Sequence, residues 1–178
     1  MDERKSERFS KNMTKIVIPM IIAIAIGGIW YFKNSNKTPI GKEDNPYFAL
    51  HVTDSLDLEQ LKSYGIPIMI DFGADSCIPC REMAPVLKEL NEELRGKVII
   101  KFVDVWKYES LADDYPISVI PTQVFIDKDG KPYTPKNAEA SQMKMYSSKE
   151  TDEHVITTHE GGMTKEQILQ VLKEMGMK

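Results

Sequence analysis

Residues 67–90 read PIMIDFGADSCIPCREMAPVLKEL, and the fold turns on this stretch. Ile66-Pro67-Ile68-Met69-Ile70-Asp71-Phe72 is a short apolar run, consistent with a buried strand. Beyond it Met83, Leu87, Leu90 and Leu94 recur at helical spacing, and Gly96 marks the stop. Pro85 falls inside that helix and is expected to kink it. Cys77-Ile78-Pro79-Cys80 therefore sits where a strand ends and a helix begins. A helix N-terminus carries free N–H groups and partial positive charge, which favour a thiolate. The thiolate is the nucleophile of disulfide exchange. Cys77 is placed at the exposed end of the helix, and Cys80 lies about one turn in, within bonding reach of it.

Two alternatives to redox chemistry stand beside this reading. A CxxC pair is half of a zinc site, but zinc usually takes four protein ligands and the chain holds only these two cysteines. His154 and His159, five residues apart on an expected strand, make a poor second half. The second alternative is a buried, inert pair. A structural crosslink is a weak reading, because so small a loop adds little stability. Asp71 is a carboxylate in an apolar strand, where desolvation disfavours its charged form. Behind the cysteines it would accept and return a proton; at an exposed strand end it would do nothing.

Around this segment the chain alternates strands and helices. Pro46 to Val52 is expected as a first strand and Leu56 to Tyr64 as a helix stopped by Gly65. Val98 to Val105 is a strand, Tyr108 to Asp114 a short helix, and Thr122 to Ile126 a strand closed by Lys128-Asp129-Gly130. Val155 to His159 is a last strand. Thr164-x-x-Gln167 is a capping box opening a final helix with Ile168, Leu172 and Met175 on one face. Lys131 to Glu153 is polar and aperiodic, and is expected as a solvated insertion between two strands that would otherwise form a hairpin.

The N-terminus is different in kind. Ile16 to Phe32 (IVIPMIIAIAIGGIWYF) carries no charge and would span about 25 Å as a helix. Lys15 and Lys33 bracket it and can snorkel, and Trp30, Tyr31 and Phe32 suit an interface. A membrane anchor at 16–32 is expected, with a cleaved signal peptide as the alternative. Arg4, Lys5, Arg8, Lys11 and Lys15 precede it against Lys33, Lys37 and Lys42 after it, which keeps residues 1–15 cytoplasmic and the rest outside. Residues 33–45 form a polar linker and 46–178 the globular domain. The 178-residue chain is 42% hydrophobic and 28% charged, as a domain with a real core requires. Its net charge of −4 offers no basic surface for nucleic acid.

Residues 67–90, with Ile120-Pro121-Thr122 and Lys128-Asp129-Gly130, resemble the thioredoxin superfamily over roughly residues 46–178. The resemblance implies an α/β fold with a central mixed sheet flanked by helices. It implies Cys77 as nucleophile, Cys80 as resolving thiol, a cis Pro121 facing them, Asp71 as the family's buried aspartate and Lys101 as the lysine near it. It implies no cofactor beyond the cysteine pair. Ser76 and Gly73 stand where the family usually has tryptophans, which shrinks the apolar docking surface. With the apolar N-terminus, the chain is similar to membrane-anchored extracytoplasmic thioredoxin-like proteins of bacteria. That resemblance implies reduction of protein disulfides, fed by a membrane electron donor. The alternatives are a disulfide oxidant or isomerase, or a membrane-tethered metallochaperone or binding module.

Overall fold

The computed structural model describes residues 45–178. The expected tail, the apolar run 16–32 and the linker up to residue 44 lie outside the described residues. Among the described residues, no helix is long and apolar enough to cross a membrane.

The chain enters through a 3-10 turn, Pro46–Phe48, whose first N–H groups are met by Asn45: its side chain accepts from the Tyr47 amide at 3.1 Å. Strand β1 follows as only His51–Val52. The expected strand from Pro46 is thus shortened, because Asn45 and Pro46 favour a capped turn over extended pairing. Helix α1, Leu58–Lys62, is capped by Asp57 and ends before Gly65, whose φ of 65° suits glycine. Strand β2 is Ile68–Gly73, helix α2 Ile78–Glu93 and strand β3 Ile99–Asp104. Helix α2 runs across Pro85 without interruption; the ring lies on the exposed face, where the lost N–H leaves nothing buried unpaired. The helix expected at Tyr108–Asp114 is a single 3-10 turn, Glu109–Leu111. Strand β4 is Thr122–Ile126, as its residues predict.

The polar stretch after Lys131 corrects the expectation of a bare solvated insertion. It holds a one-turn helix α3, Ala138–Ser141, and strand β5, Met143–Ser147. Strand β6, His154–Glu160, then pairs antiparallel with both β4 and β5. The insertion has built a sheet edge. Of β5 only Met143 is buried, so it shows no alternating apolar pattern. Its exposed Lys144 pairs with Glu160 at 2.7 Å, and its register shifts near Tyr146, both common at edges. Tyr133, before α3, is buried and donates to Glu174 at 2.7 Å. Helix α4, Lys165–Glu174, opens with the full Thr164–Gln167 capping box.

The six strands run β1-β3-β2-β4-β6-β5, with β1, β3 and β2 parallel and the remaining pairs antiparallel. One face buries Met69, Ile100 and Phe125 under Met83, Leu87 and Leu90 of α2 and Ile168, Val171 and Leu172 of α4. The other buries Ile68, Ile70, Ile99 and Val124 under Phe48 and Leu61. Strands β2 and β3 are buried along their whole length, hence their unbroken apolar runs. The centre of the sheet is thereby held rigid, and β2 delivers the cysteine turn from it.

Candidate active site

Cys77 is the N-cap of α2. Its sulfur accepts from the Cys80 amide at 3.4 Å, and Pro79 occupies the first turn, where a missing N–H costs nothing. Cys77 and Cys80 are joined as a disulfide. Cys77 is 9% exposed and Cys80 2%, so the first cysteine is the more accessible of the two. The Ile120–Pro121 peptide is cis. It brings the Ile120 carbonyl to 3.9 Å from the Cys77 sulfur, and Ile120 packs on Ala74 and both cysteines. The loop is tied down on both sides. Thr122 Oγ1 donates to the Val119 carbonyl at 2.8 Å, and the Gly161 amide donates to the Pro121 carbonyl at 2.8 Å.

Gly73 has a steric reason. A Cβ there would meet the Phe102 ring at 2.9 Å and the Cys80 sulfur at 3.2 Å. The aromatic volume beside Cys80 comes from Phe102 on β3, and a side chain at residue 73 would require that ring to shift. Asp104 braces the other side of the turn. Its carboxylate accepts from the amides of Asp75 and Trp106 at 3.1 Å and of Lys107 at 3.2 Å. Burial works to raise its pKa, but these N–H groups and the Lys107 ammonium outweigh it and hold it below the usual carboxylate value. Lys107 also pairs with Asp75. Ile78, Val119 and Trp106 are exposed apolar side chains on the three segments that frame the disulfide. They supply apolar surface that Ser76 and Gly73 do not.

Asp71 is fully buried, on the α2 side of β2: Gly73, two residues on, faces Cys80. Burial raises its pKa to about 7, against the opposing hydrogen bond from Gln123. The exposed strand-end reading is therefore excluded. Lys101 is not beside it. Across β2 and β3, Asp71 pairs with Phe102 and Lys101 with Ile70, so the lysine points to the opposite face. There its ammonium donates to the carbonyls of Ala49 at 2.7 Å and Pro46 at 3.3 Å, and burial, then the Arg95 charge, lower its pKa to about 8. It serves the entry turn, not the cysteines.

The neighbour that sequence reasoning missed is Gln123. Its Nε2 donates to Asp71 Oδ1 at 2.8 Å, and its Oε1 lies 3.0 Å from His159 Nδ1. A polar residue in a strand, directly before the apolar run Val124-Phe125-Ile126, was the available signal, since buried amides need partners. Burial lowers the His159 pKa, against the Gly161 backbone and the Glu160 charge. His154 lies at the far end of β6, bonded to Thr157 at 2.7 Å, so the two histidines do not converge. Among the described residues no group of three or more His, Cys, Asp or Glu is placed to hold a metal ion.

The thioredoxin family model matches residues 50–151, from β1 through the disulfide and the cis-proline loop into the insertion. The chain belongs to the thioredoxin family. Thioredoxins exchange thiols and disulfides through a redox-active disulfide and need no cofactor. Rice thioredoxin Y of the chloroplast is 40% identical over 74 residues, 42% of this chain and 44% of its own length. Thioredoxin of Rickettsia felis is 31% identical over 83 residues, 47% of this chain and 78% of its own. Thioredoxin C-2 of Corynebacterium nephridii is 46% identical over 65 residues, 36% of this chain and 59% of its own. The chain thus spans less than half the length of the chloroplast relative and about three quarters of the Rickettsia one. The solved chloroplastic thioredoxin z has a TM-score of 0.46 at 24% identity, covering 71% of this chain and 93% of that one.

Proposed function

We propose that the chain is a membrane-anchored oxidoreductase that reduces disulfides of extracytoplasmic proteins and is recharged by a membrane electron donor. The observation that carries the chemistry is a cysteine pair at a helix N-terminus against Ile120 of the Ile120–Pro121 loop, with Cys77 the more exposed sulfur. In the reductive cycle the Cys77 thiolate attacks a substrate disulfide. One substrate sulfur leaves as a thiolate, and a mixed disulfide forms. Cys80 gives up its proton, with Asp71 as acceptor, and attacks Cys77; the second substrate sulfur departs and is protonated. The chain ends oxidised, the substrate doubly reduced, and two electrons have moved.

The direction rests on what surrounds the Cys77 sulfur. Ile78 and Pro79, between the cysteines, have side chains without a donor or a charge, which leaves the Cys80 amide and the helix terminus as the main stabilisers. A modestly stabilised thiolate is a poorer leaving group, so the disulfide is favoured and the dithiol gives electrons away. Equilibration of the full chain in glutathione buffers is expected to give a potential nearer about −270 mV than about −120 mV. A value at the oxidising end would exchange this reading for that of an oxidant or isomerase.

The anchor rests on the uncharged run Ile16 to Phe32 and the basic residues before it. Protease added to intact spheroplasts is expected to digest the domain and spare the N-terminal tail. A tag at residue 1 that is cut from outside would overturn the topology.

A further inference from the structure

Asp71, Gln123 and His159 are direct register partners across three adjacent strands, Asp71 with Gln123 on β2–β4 and Gln123 with His159 on β4–β6. Register partners share a face, so the three side chains form one row under α2. Asp71 and Gln123 are 0% exposed and His159 4%, so no bulk water competes for their bonds. Among the described residues Asp71 Oδ2 has no hydrogen-bond partner, leaving one oxygen of the carboxyl group free to carry a proton.

While Asp71 is ionised, the amide in the middle points one way. Gln123 Nε2 faces Asp71 Oδ1 at 2.8 Å and the Met83 sulfur at 3.8 Å, both acceptors. Turned over, its oxygen would face a carboxylate oxygen and a sulfur, an arrangement tolerable only once Asp71 is protonated. Its Oε1 faces His159 Nδ1 at 3.0 Å, which must then carry hydrogen.

Building on the oxidoreductase reading, we propose that His159 is a positioning residue: by donating to Gln123 it holds the amide N–H on Asp71 and so sets the pH at which the carboxyl group behind Cys80 takes up a proton. Without the His159 donor, the amide is free to turn and accept from a protonated Asp71. Alternatively it keeps its orientation with a buried oxygen unpaired. Either course favours the protonated carboxyl. The other charged or titratable groups around the row are few. His159 lines a cavity of about 400 Å³ with Tyr133, Lys136 and Glu174, and Glu160 adjoins it in the strand. From α2 the row is faced by Cys80 and Met83, and from β3 by Phe102, Lys101 being on the opposite face.

The test reads the carboxyl group directly and requires no turnover, so it stands or falls apart from the proposed activity. In the oxidised full chain, the protonated C=O stretch of Asp71 is followed by infrared difference spectroscopy against pH and assigned by its loss in Asp71→Asn. His159→Phe fills the space without a donor and is expected to raise the midpoint by about one pH unit. His159→Asn returns an N–H near the Nδ1 position and should bring the midpoint back toward the parent. Gln123→Met removes the amide at similar volume and must also raise it, which serves if His159→Phe does not fold. An unmoved midpoint in His159→Phe or Gln123→Met, or equal shifts for Phe and Asn at residue 159, would overturn the proposal.

Discussion

Cys80→Ser, mixed with a protein disulfide, is expected to accumulate a covalent mixed disulfide on Cys77, whereas Cys77→Ser forms none and its turnover falls to the uncatalysed rate. The asymmetry follows from the helix N-terminus. Cys77 caps α2, is the more exposed sulfur and has the Cys80 amide aimed at it; Cys80 lies a turn deeper, 2% exposed, against Gly73. A serine at residue 80 leaves the first attack intact and deletes the second. Mass spectrometry of the trapped species identifies the partner, and alkylation of the reduced chain should modify Cys77 first. Trapping on Cys80 in a Cys77→Ser variant, or faster alkylation of Cys80, would reverse the assignment.

Asp71→Asn should stabilise the chain at alkaline pH and leave it nearly unchanged at acid pH. The pKa of Asp71 is raised by burial from 3.8 in the unfolded chain to about 7 in the fold. Between those values the folded state holds a proton that the unfolded state has released. Stability therefore falls as pH rises from about 4 to about 7, and the deficit persists above. The cost reaches on the order of 4 kcal/mol. Asparagine does not ionise, its oxygen still accepts from Gln123, and its amide replaces the unpartnered Oδ2. Denaturant unfolding of both proteins at several pH values gives a difference curve free of the carboxylates they share, including Asp104, whose depressed pKa acts in the opposite sense. Parallel curves would mean that Asp71 is not buried in charged form. The same substitution should slow release of the mixed disulfide while sparing its formation, because only the second attack uses this base.

Much of this was legible in the residues. Alternation of buried runs with helical periods located β2, α2, β3, β4, β6 and α4, and the capping box of α4 was visible as Thr164 and Gln167. The cysteine pair was placed by local signals alone: a strand's end, a proline in a first turn, and apolar residues three and four apart. Such features depend on neighbours within one turn, which the chain carries in order. Strand β5 was not legible, because an edge strand buries one residue and borrows its order from β6. Lys101 and Gln123 depended on register. A one-residue offset between β2 and β3 decides whether a side chain joins Asp71 or faces away, and only the assembled sheet sets that offset. The sequence by itself determined which chemistry the chain holds, a dithiol at a helix start with a carboxyl group in the strand before it. The tertiary structure alone decided what that carboxyl group meets: an amide and an imidazole from strands 52 and 88 residues away, aligned by backbone hydrogen bonds that no local pattern encodes.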